Sequence, residues 1–302
     1  MLQEMAGIQE YSENNRRLGE KVAIETYTLD EIYFSTAFVF HEKNERRSLE
    51  ATFSHLVEHC SNLIKHHHRR DADNSFDALI KCFSWFLPLL AKARVSSAER
   101  VIFRKFPGVC YYCAESPHQG DRCKENSGLK PEDRVSLLQG IYSDGWDSRP
   151  RTMNGWQAMF QTIYPKGLGT IEYSCVKLTE ELGEMAEAIR VFDHSPSYLL
   201  SEAADIFSHL FGIASEIQAV AKQINSEKCL NLDLFEQLYP GQCRRCRSTV
   251  CICPHLPRET VGRISREIPI IDTEPLFMSF FDILENGRSV ARRVRQSRGA
   301  EH

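Results

Sequence analysis

Two stretches of the chain carry carboxylates at helical spacing. The first holds four glutamates within eight residues: Glu180, Glu181, Glu184 and Glu187. The second follows a short loop at 190–198 and holds Glu202 and Asp205. At about 100° per residue, Glu181 and Glu184 lie beside the apolar stripe of the first helix, whereas Glu180 points towards solvent. If the two helices pack antiparallel, four of these side chains converge: Glu181, Glu184, Glu202 and Asp205.

Four carboxylates in one place predict a bound cation. Like charges raise each other's pKa, so such a group cannot stay ionised without a counter-charge. Mg²⁺ is the natural occupant because it prefers oxygen ligands, and it commonly binds together with substrate phosphates. An acidic helix alone would be interpreted as a solvated face. The second acidic pair, to which the chain returns after a short loop, is what favours a metal site.

The same segment resembles a known family of enzymes. LTEELGEMAEAI followed by SEAADIFSHL is similar to the EExxE and ExxD signature of MazG-like all-α nucleoside-triphosphate pyrophosphohydrolases, and GWQAMFQTIYP is similar to the helix that precedes it there. The resemblance covers residues 155–228, about a quarter of the chain. It implies an enzyme that uses Mg²⁺ to split a nucleoside triphosphate into the monophosphate and pyrophosphate. It also implies a dimer of such units.

Carried over position by position, the resemblance assigns roles to the acidic residues. Glu181 and Glu184 match the first pair of Mg²⁺ ligands, and Glu202 and Asp205 match the second pair. Glu180 accompanies the first pair, and Glu180 or Glu181 is expected to orient or deprotonate the attacking water. A polar tail is implied to contact the substrate phosphates, through Lys222, Asn225 and Lys228.

His209 lies one turn beyond Asp205 and is a further candidate near the attacking water. The alternative is a partly exposed helical histidine with no such role. Nothing in the sequence selects the base of the nucleotide, or ribose over deoxyribose.

Seven of the eleven cysteines fall into two compact groups with metal-site spacing. The first group consists of Cys110, Cys113 and Cys123, with His118 as the fourth ligand. The second group consists of Cys243, Cys246, Cys251 and Cys253, with His255 as a substitute ligand. In a reducing compartment, CxxC followed by further cysteines is typical of closed, structural zinc sites. A redox-active CxxC is the alternative. The four remaining cysteines are expected to be small buried hydrophobes.

The two cysteine groups indicate an internal repeat. FPGVCYYC at 106–113 and YPGQCRRC at 239–246 share an aromatic-Pro-Gly-x-Cys-x-x-Cys pattern, and a two-helix segment precedes each. Aligning the helical segments sets Phe83 against Phe207 and Lys81 against Asp205. The same alignment places Leu56, Val57 and Cys60 near the positions of Glu180, Glu181 and Glu184. This part of the alignment depends on the length of the loop between the two helices. The first half would then be a copy that lost its metal ligands and serves as a built-in partner. Two unrelated helical pairs are the alternative.

Helical spacing dominates the chain, and we therefore predict an all-α, MazG-like helical bundle, as a tandem pseudo-repeat with two small zinc knuckles. Helices are expected at 46–66 and 75–94, with His66–Arg70 in an exposed loop between them. Six segments follow from these patterns: an N-terminal helical unit at 1–105, a knuckle at 106–127, a linker with turns at 128–154, the catalytic unit at 155–238, a knuckle at 239–257 and an extension at 258–302. Ser195 or Ser197 is expected to begin the last long helix as its N-cap.

Composition narrows the function classes. The net charge of −4 gives no global attraction to nucleic acid or membranes. The longest apolar run, Cys82–Ala91, is half the length that crosses a bilayer, and the N-terminus lacks a signal-peptide pattern. We therefore expect a cytoplasmic protein. The alternative function is a MazG-like binding module with little turnover, which engages nucleic acid or protein through its zinc knuckles and its arginine-rich tail at 288–298.

Overall fold

The described part of the chain is helical. The computed structural model describes residues 27–118, 120, 123, 130–165, 170–225, 230–235, 241–243 and 246–253. The nine α-helices within these ranges are α1 Leu29–Val39, α2 His41–Glu45, α3 Leu49–His68, α4 Ala72–Lys92, α5 Ala98–Lys105, α6 Pro131–Gly145, α7 Met153–Ile163, α8 Ile171–Arg190 and α9 Pro196–Ile224. Short 3₁₀ turns follow at Trp146–Ser148 and Leu232–Leu234, and these residues contain no β-strand. The all-α prediction is therefore confirmed for the described residues.

Hydroxyl side chains fix where the long helices begin. Thr28, Ser48, Thr152 and Thr170 each accept a hydrogen bond from the backbone N–H three residues on, which satisfies a donor that the first helical turn leaves unpaired. α9 differs. Ser195 stands at its N-cap position without a side-chain cap, and Pro196 follows at the first helical position, where its missing N–H costs nothing.

Two helical hairpins form the centre of the molecule. α3 packs antiparallel on α4, and α8 packs on α9. The hairpins then face each other, α3 against α8 and α4 against α9. The predicted stripe of α8 is buried as expected, at Leu178, Leu182, Met185 and Ile189. α1, α5 and α7 pack around this four-helix centre, so that both halves of the chain share one apolar core.

The structure corrects two local predictions. Residues 128–154, expected to be a linker with turns, contain α6, which begins with Pro131 at its first turn and packs on α5. The run His66–Arg70 is not one exposed loop: α3 continues to His68, and the turn is only 69–71. Arg70 makes this turn at a φ of 56°, and Asp71 caps α4. His67 is consequently buried, with 1% of its surface exposed.

Several predicted features lie outside the described residues: Lys228, His255 and the extension at 258–302 with its arginines. Among the helices that the structure describes, none is long and apolar enough to cross a membrane.

Candidate functional site

Three of the four predicted Mg²⁺ ligands come together between α8 and α9. Glu181, Glu184 and Glu202 each offer a carboxylate oxygen, and these oxygens lie within 4.8 Å of one another. We call these residues the glutamate triad. Oε2 of Glu181 and Oε2 of Glu202 are both buried and accept no hydrogen bond. A buried carboxylate oxygen without a donor is costly, so this geometry fits a cation.

Asp205 does not join the triad. Its Oδ2 instead forms a buried ion pair with Nζ of Lys105, which stands at the last position of α5. Lys105 also donates to Oγ of Ser201 at 2.9 Å and lies 3.4 Å from the Ser201 carbonyl oxygen. Only 6% of the Lys105 side chain is exposed. The fourth predicted ligand is therefore paired with a cation from the first half of the chain.

The pKa values reflect the crowding of these charges. Burial raises the pKa of Glu202 to about 9; Lys105 opposes this shift, and Asp205 and Glu184 add to it. Burial alone would lower the pKa of Lys105, but the carboxylates of Asp205 and Glu202 outweigh it and raise that pKa. The triad therefore holds a proton on Glu202 at neutral pH when no metal neutralises it.

The two candidates for handling the attacking water are placed differently. Glu181 lies inside the triad, and its Oε1 is 3.4 Å from Nε2 of His209. Glu180 points away and pairs with Lys177 at 2.5 Å on the exposed side of α8. His209 is 9% exposed, and its Nδ1 is buried without a hydrogen-bond partner. The geometry therefore favours Glu181 and His209 over Glu180.

Aromatic and basic side chains stand beside the Lys105–Asp205 pair. Nζ of Lys105 lies 5.3 Å from the ring centre of Tyr111, and the guanidinium of Arg134 lies 5.0 Å from the same ring. Arg134 belongs to α6, within the segment expected to be a linker. Tyr164 follows α7, hydrogen-bonds the sulfur of Cys110 and lies close enough to Asp205 to sense its charge. This corner of the site joins both halves of the chain.

The predicted phosphate-contacting tail is not brought to the triad. Lys222 is exposed in the last turn of α9, and Asn225 caps that helix. At a rise of about 1.5 Å per residue, Lys222 stands roughly 25 Å along the helix from Asp205, farther than a lysine side chain reaches. Lys105 is the lysine that the structure places beside these carboxylates, through its pair with Asp205.

The second cysteine group converges completely. The sulfurs of Cys243, Cys246, Cys251 and Cys253 all lie within 4.8 Å of one another. Three of these cysteines are buried against Val39 and Phe40, at the carboxyl end of α1. Such an arrangement of four thiols can hold one metal ion.

The first cysteine group converges in part. Ligand atoms of Cys110, His118 and Cys123 lie within 4.8 Å of one another. Cys113 stands outside this set, although its thiol hydrogen-bonds that of Cys123. All three cysteines are buried, and His118 packs on the ring of Tyr164. The group can hold a metal ion through three of the four predicted ligands as they stand.

The two cysteine groups share one backbone conformation. In the first group, Cys110 N–H donates to Glu115 and Ala114 N–H donates back to Cys110. In the second, Cys243 donates to Ser248 and Arg247 donates back to Cys243. The glycine two residues before each leading cysteine and the residue four after it have positive φ: Gly108 79°, Ala114 54°, Gly241 60° and Arg247 58°. The shared Pro-Gly-x-Cys pattern therefore makes the same turn twice.

Each cysteine group docks on the half of the chain to which it does not belong. His118 N–H donates to the carbonyl of Ile163, the last residue of α7, at 2.9 Å. Cys251 N–H donates to the carbonyl of Val39, the last residue of α1, at 2.8 Å. His118 and Cys251 are each the eighth residue after the leading cysteine of their group. His118 thus occupies the position in the first group that a cysteine occupies in the second.

Comparison of the chain with protein-family models, with curated proteins and with solved structures finds no match. The site must therefore be interpreted from its own geometry. Sequence reasoning did not find Lys105. The available signal was its position four residues after Val101, on the buried face of α5, where a lysine needs a partner.

Proposed function

We propose that this protein is a Mg²⁺-dependent nucleoside-triphosphate pyrophosphohydrolase that releases the monophosphate and pyrophosphate. The single observation that carries the proposal is the glutamate triad, in which two buried carboxylate oxygens lack any hydrogen-bond donor. The spacing of the triad along α8 and α9 resembles three positions of the MazG-like signature.

Each group in the site has a role in this reaction. Bound Mg²⁺ would neutralise phosphate charge and lower the pKa of the attacking water. Glu181, Glu184 and Glu202 would hold the ion. His209, beside Glu181, orients the water or accepts its proton. Lys105 and Arg134, which both stand beside the ring of Tyr111, would offset the negative charge of the triphosphate.

The test is direct. The purified protein is incubated with each ribo- and deoxyribonucleoside triphosphate and Mg²⁺, and the products are separated. We expect monophosphate and pyrophosphate in equal amounts from at least one substrate. Glu184→Gln should lose most of this activity, on the order of a hundredfold, because a metal ligand is gone. Glu172→Gln is the matched control, since it makes the same change at an exposed position on the same helix. Release of inorganic phosphate alone, or equal activity of both variants, would exclude the proposal.

We propose that both cysteine groups are structural zinc sites. The support is the convergence of four sulfurs in the second group and of two sulfurs with His118 in the first. Short segments such as these bury little hydrophobic core of their own, and a bound metal ion would hold them in place against α1 and α7. Elemental analysis of the purified chain should find about two zinc ions.

We also propose that the chain is a tandem duplication, so that the expected dimer is built within one chain. Thr28 and Thr152 cap the first helices of the two units, and Ser48 and Thr170 cap the second. α3 and α8 are both 20 residues long. Ser84 and Ser208, aligned from the sequence, each donate to the carbonyl three residues back at 2.8 Å. The aligned Phe83 and Phe207 touch each other, as residues near a two-fold axis do.

On this alignment the register of the degenerate site changes. Leu49 aligns with Ile171, so His59 and Asn62 take the places of Glu181 and Glu184. The alignment of the sequences places Val57 and Cys60 there because it assumes connections of equal length. The turn at 69–71 is two residues shorter than the loop at 191–195, which shifts the register. The first unit thus carries a histidine and an asparagine in place of two acids, and Lys81 in place of Asp205.

A second candidate function is a binding module without turnover. The observation that favours it is the pairing of Asp205 with Lys105, since a site that needs four acidic ligands has one of them engaged. The two candidates separate in one experiment. A binding module would retain a nucleotide or nucleic acid in equilibrium dialysis but would release no pyrophosphate from any triphosphate.

A further inference from the structure

Lys105 is an unusual residue to find in a carboxylate cluster. It comes from α5, directly before the first cysteine group, and it reaches α9 in the other half of the chain. Its ammonium group contacts Asp205 and Ser201 and is buried. A buried lysine is stable only where its charge is paired, so Asp205 and Lys105 hold each other in place.

This pairing determines what the glutamate triad can bind. Asp205 is three residues after Glu202 on α9 and would be free to turn towards a cation in the triad if Lys105 released it. As long as the ion pair stands, the site loses one ligand. The site also contains a positive charge close to Glu202, because the ammonium group of Lys105 lowers the pKa of that carboxyl. Both effects oppose the binding of a bare divalent cation.

We infer that Lys105 is a positioning residue that holds Asp205 apart from the glutamate triad, keeps the affinity for a free divalent cation low, and releases Asp205 when a triphosphate brings competing negative charge. The inference rests on the proposed function for the identity of the triphosphate. A measurement of the triad's metal affinity in the absence of nucleotide tests the central claim of the inference. A site of this kind takes up the metal together with the nucleotide and stays closed to the metal alone.

The first cysteine group supports this role. Lys105 is the last residue of α5, and its ammonium nitrogen lies 5.3 Å from the centre of the Tyr111 ring, in the first cysteine group's loop. Tyr164 links Cys110 to the surroundings of Asp205. The flexible four-carbon stem of Lys105 can therefore move while its anchor stays in place.

The experiment measures metal binding without nucleotide. Mn²⁺ is titrated into the purified, zinc-loaded protein, and free Mn²⁺ is counted by electron paramagnetic resonance, with Mg²⁺ as competitor. We expect Lys105→Met to bind Mn²⁺ at least about tenfold more tightly than the unmodified protein, because a repelling charge is gone and Asp205 is released. Lys81→Met is the matched control. It removes an ion-paired lysine of the other hairpin, where Lys81 pairs with Asp77 at 2.7 Å, and should leave the affinity unchanged.

Two further variants make the result decisive. Glu184→Gln in the Lys105→Met background should abolish the added affinity, which shows that the ion binds at the triad. Lys105→Gln keeps a donor for Ser201 without the charge, and it should behave as Lys105→Met if that variant does not fold. A gain in affinity that Glu184→Gln abolishes comes from the triad and not from groups that structural damage exposes.

The possible outcomes separate the two proposals. Unchanged Mn²⁺ affinity in both Lys105 variants overturns the inference, even where the protein hydrolyses triphosphates. Tighter binding without any hydrolysis supports the inference and refutes the proposed reaction. If no variant binds Mn²⁺, the inference is overturned, and the product assay with triphosphates decides the proposed reaction by itself.

Discussion

Replacing His67 with alanine should weaken the contact between the two hairpins. Nε2 of His67, on α3, lies 2.7 Å from Oε2 of Glu216, on α9. The other carboxylate oxygen of Glu216 accepts a 2.5 Å hydrogen bond from Oγ of Ser174, on α8. One partly buried carboxylate thus ties three helices together, and His67 is the one of these three residues that comes from the first hairpin.

The expected cost follows from burial. A hydrogen bond to a charged group contributes about 1.5–3 kcal/mol, and the truncated ring also leaves a cavity. Glu216 is 14% exposed at its side chain, so water replaces the lost partner only in part. We expect His67→Ala to lower the free energy of unfolding by about 3 kcal/mol, which for a chain of this size lowers the melting temperature by roughly 5–10 °C.

Thermal and urea unfolding followed by circular dichroism provide the measurement. His68→Ala is the matched control, because it changes the next residue of the same histidine run at an exposed position. It should alter stability by less than about 0.5 kcal/mol. If His67→Ala were as stable as His68→Ala, the buried network would not hold the hairpins together, and the described packing of α3 on α8 would be in doubt.

Three other predictions follow from the site and its supports. Glu202→Gln should abolish turnover, yet it should stabilise the metal-free protein relative to the unmodified one, and more so at pH 8 than at pH 5. Burial raises the pKa of Glu202 to about 9, so the native state keeps a proton that the unfolded chain loses above pH ~4.5. The stability of the unmodified protein therefore falls between these two pH values, and the amide removes this dependence. Cys123→Ser and Cys251→Ser should each remove about one zinc ion by elemental analysis, but only Cys123→Ser should reduce turnover strongly, because the first cysteine group adjoins Lys105; equal losses of turnover would argue against that link. Phe83→Ala, which removes a fully buried ring that touches Phe207, should cost about 3–5 kcal/mol in urea unfolding, whereas Phe34→Ala at a ring that is 54% exposed should cost little.

Local features of the fold were predictable because they depend on residues close together in the sequence. The apolar stripe at Leu178, Leu182 and Met185 repeats at the period of a helix, and all three side chains are buried. The N-cap position of Ser195 follows from its place before Pro196. A spacing of three residues put Glu181 and Glu184 on one face of α8, and the packing of α9 on α8 brings Glu202 to them.

The sequence misjudged residues whose environment depends on distant segments. Residues 131–145 have abundant Gly, Pro, Asp and Ser, which suggested turns, but α6 forms there and packs on α5. His67 lies in a polar run that suggested an exposed loop, but the short turn at 69–71 lets α3 continue and places His67 against Glu216. In both cases tertiary packing outweighed local composition.

What the sequence alone determined about this protein is which residues share a helix face, such as Glu181 and Glu184 on α8. Periodicity encodes this because a helix repeats every 3.6 residues whatever it packs against. Only the tertiary structure decided what each face meets. Asp205 was expected to bind metal with the glutamate triad, and it is instead paired with Lys105, 100 residues earlier in the chain. That pairing depends on how two hairpins and a cysteine group pack together, and no local spacing carries this information.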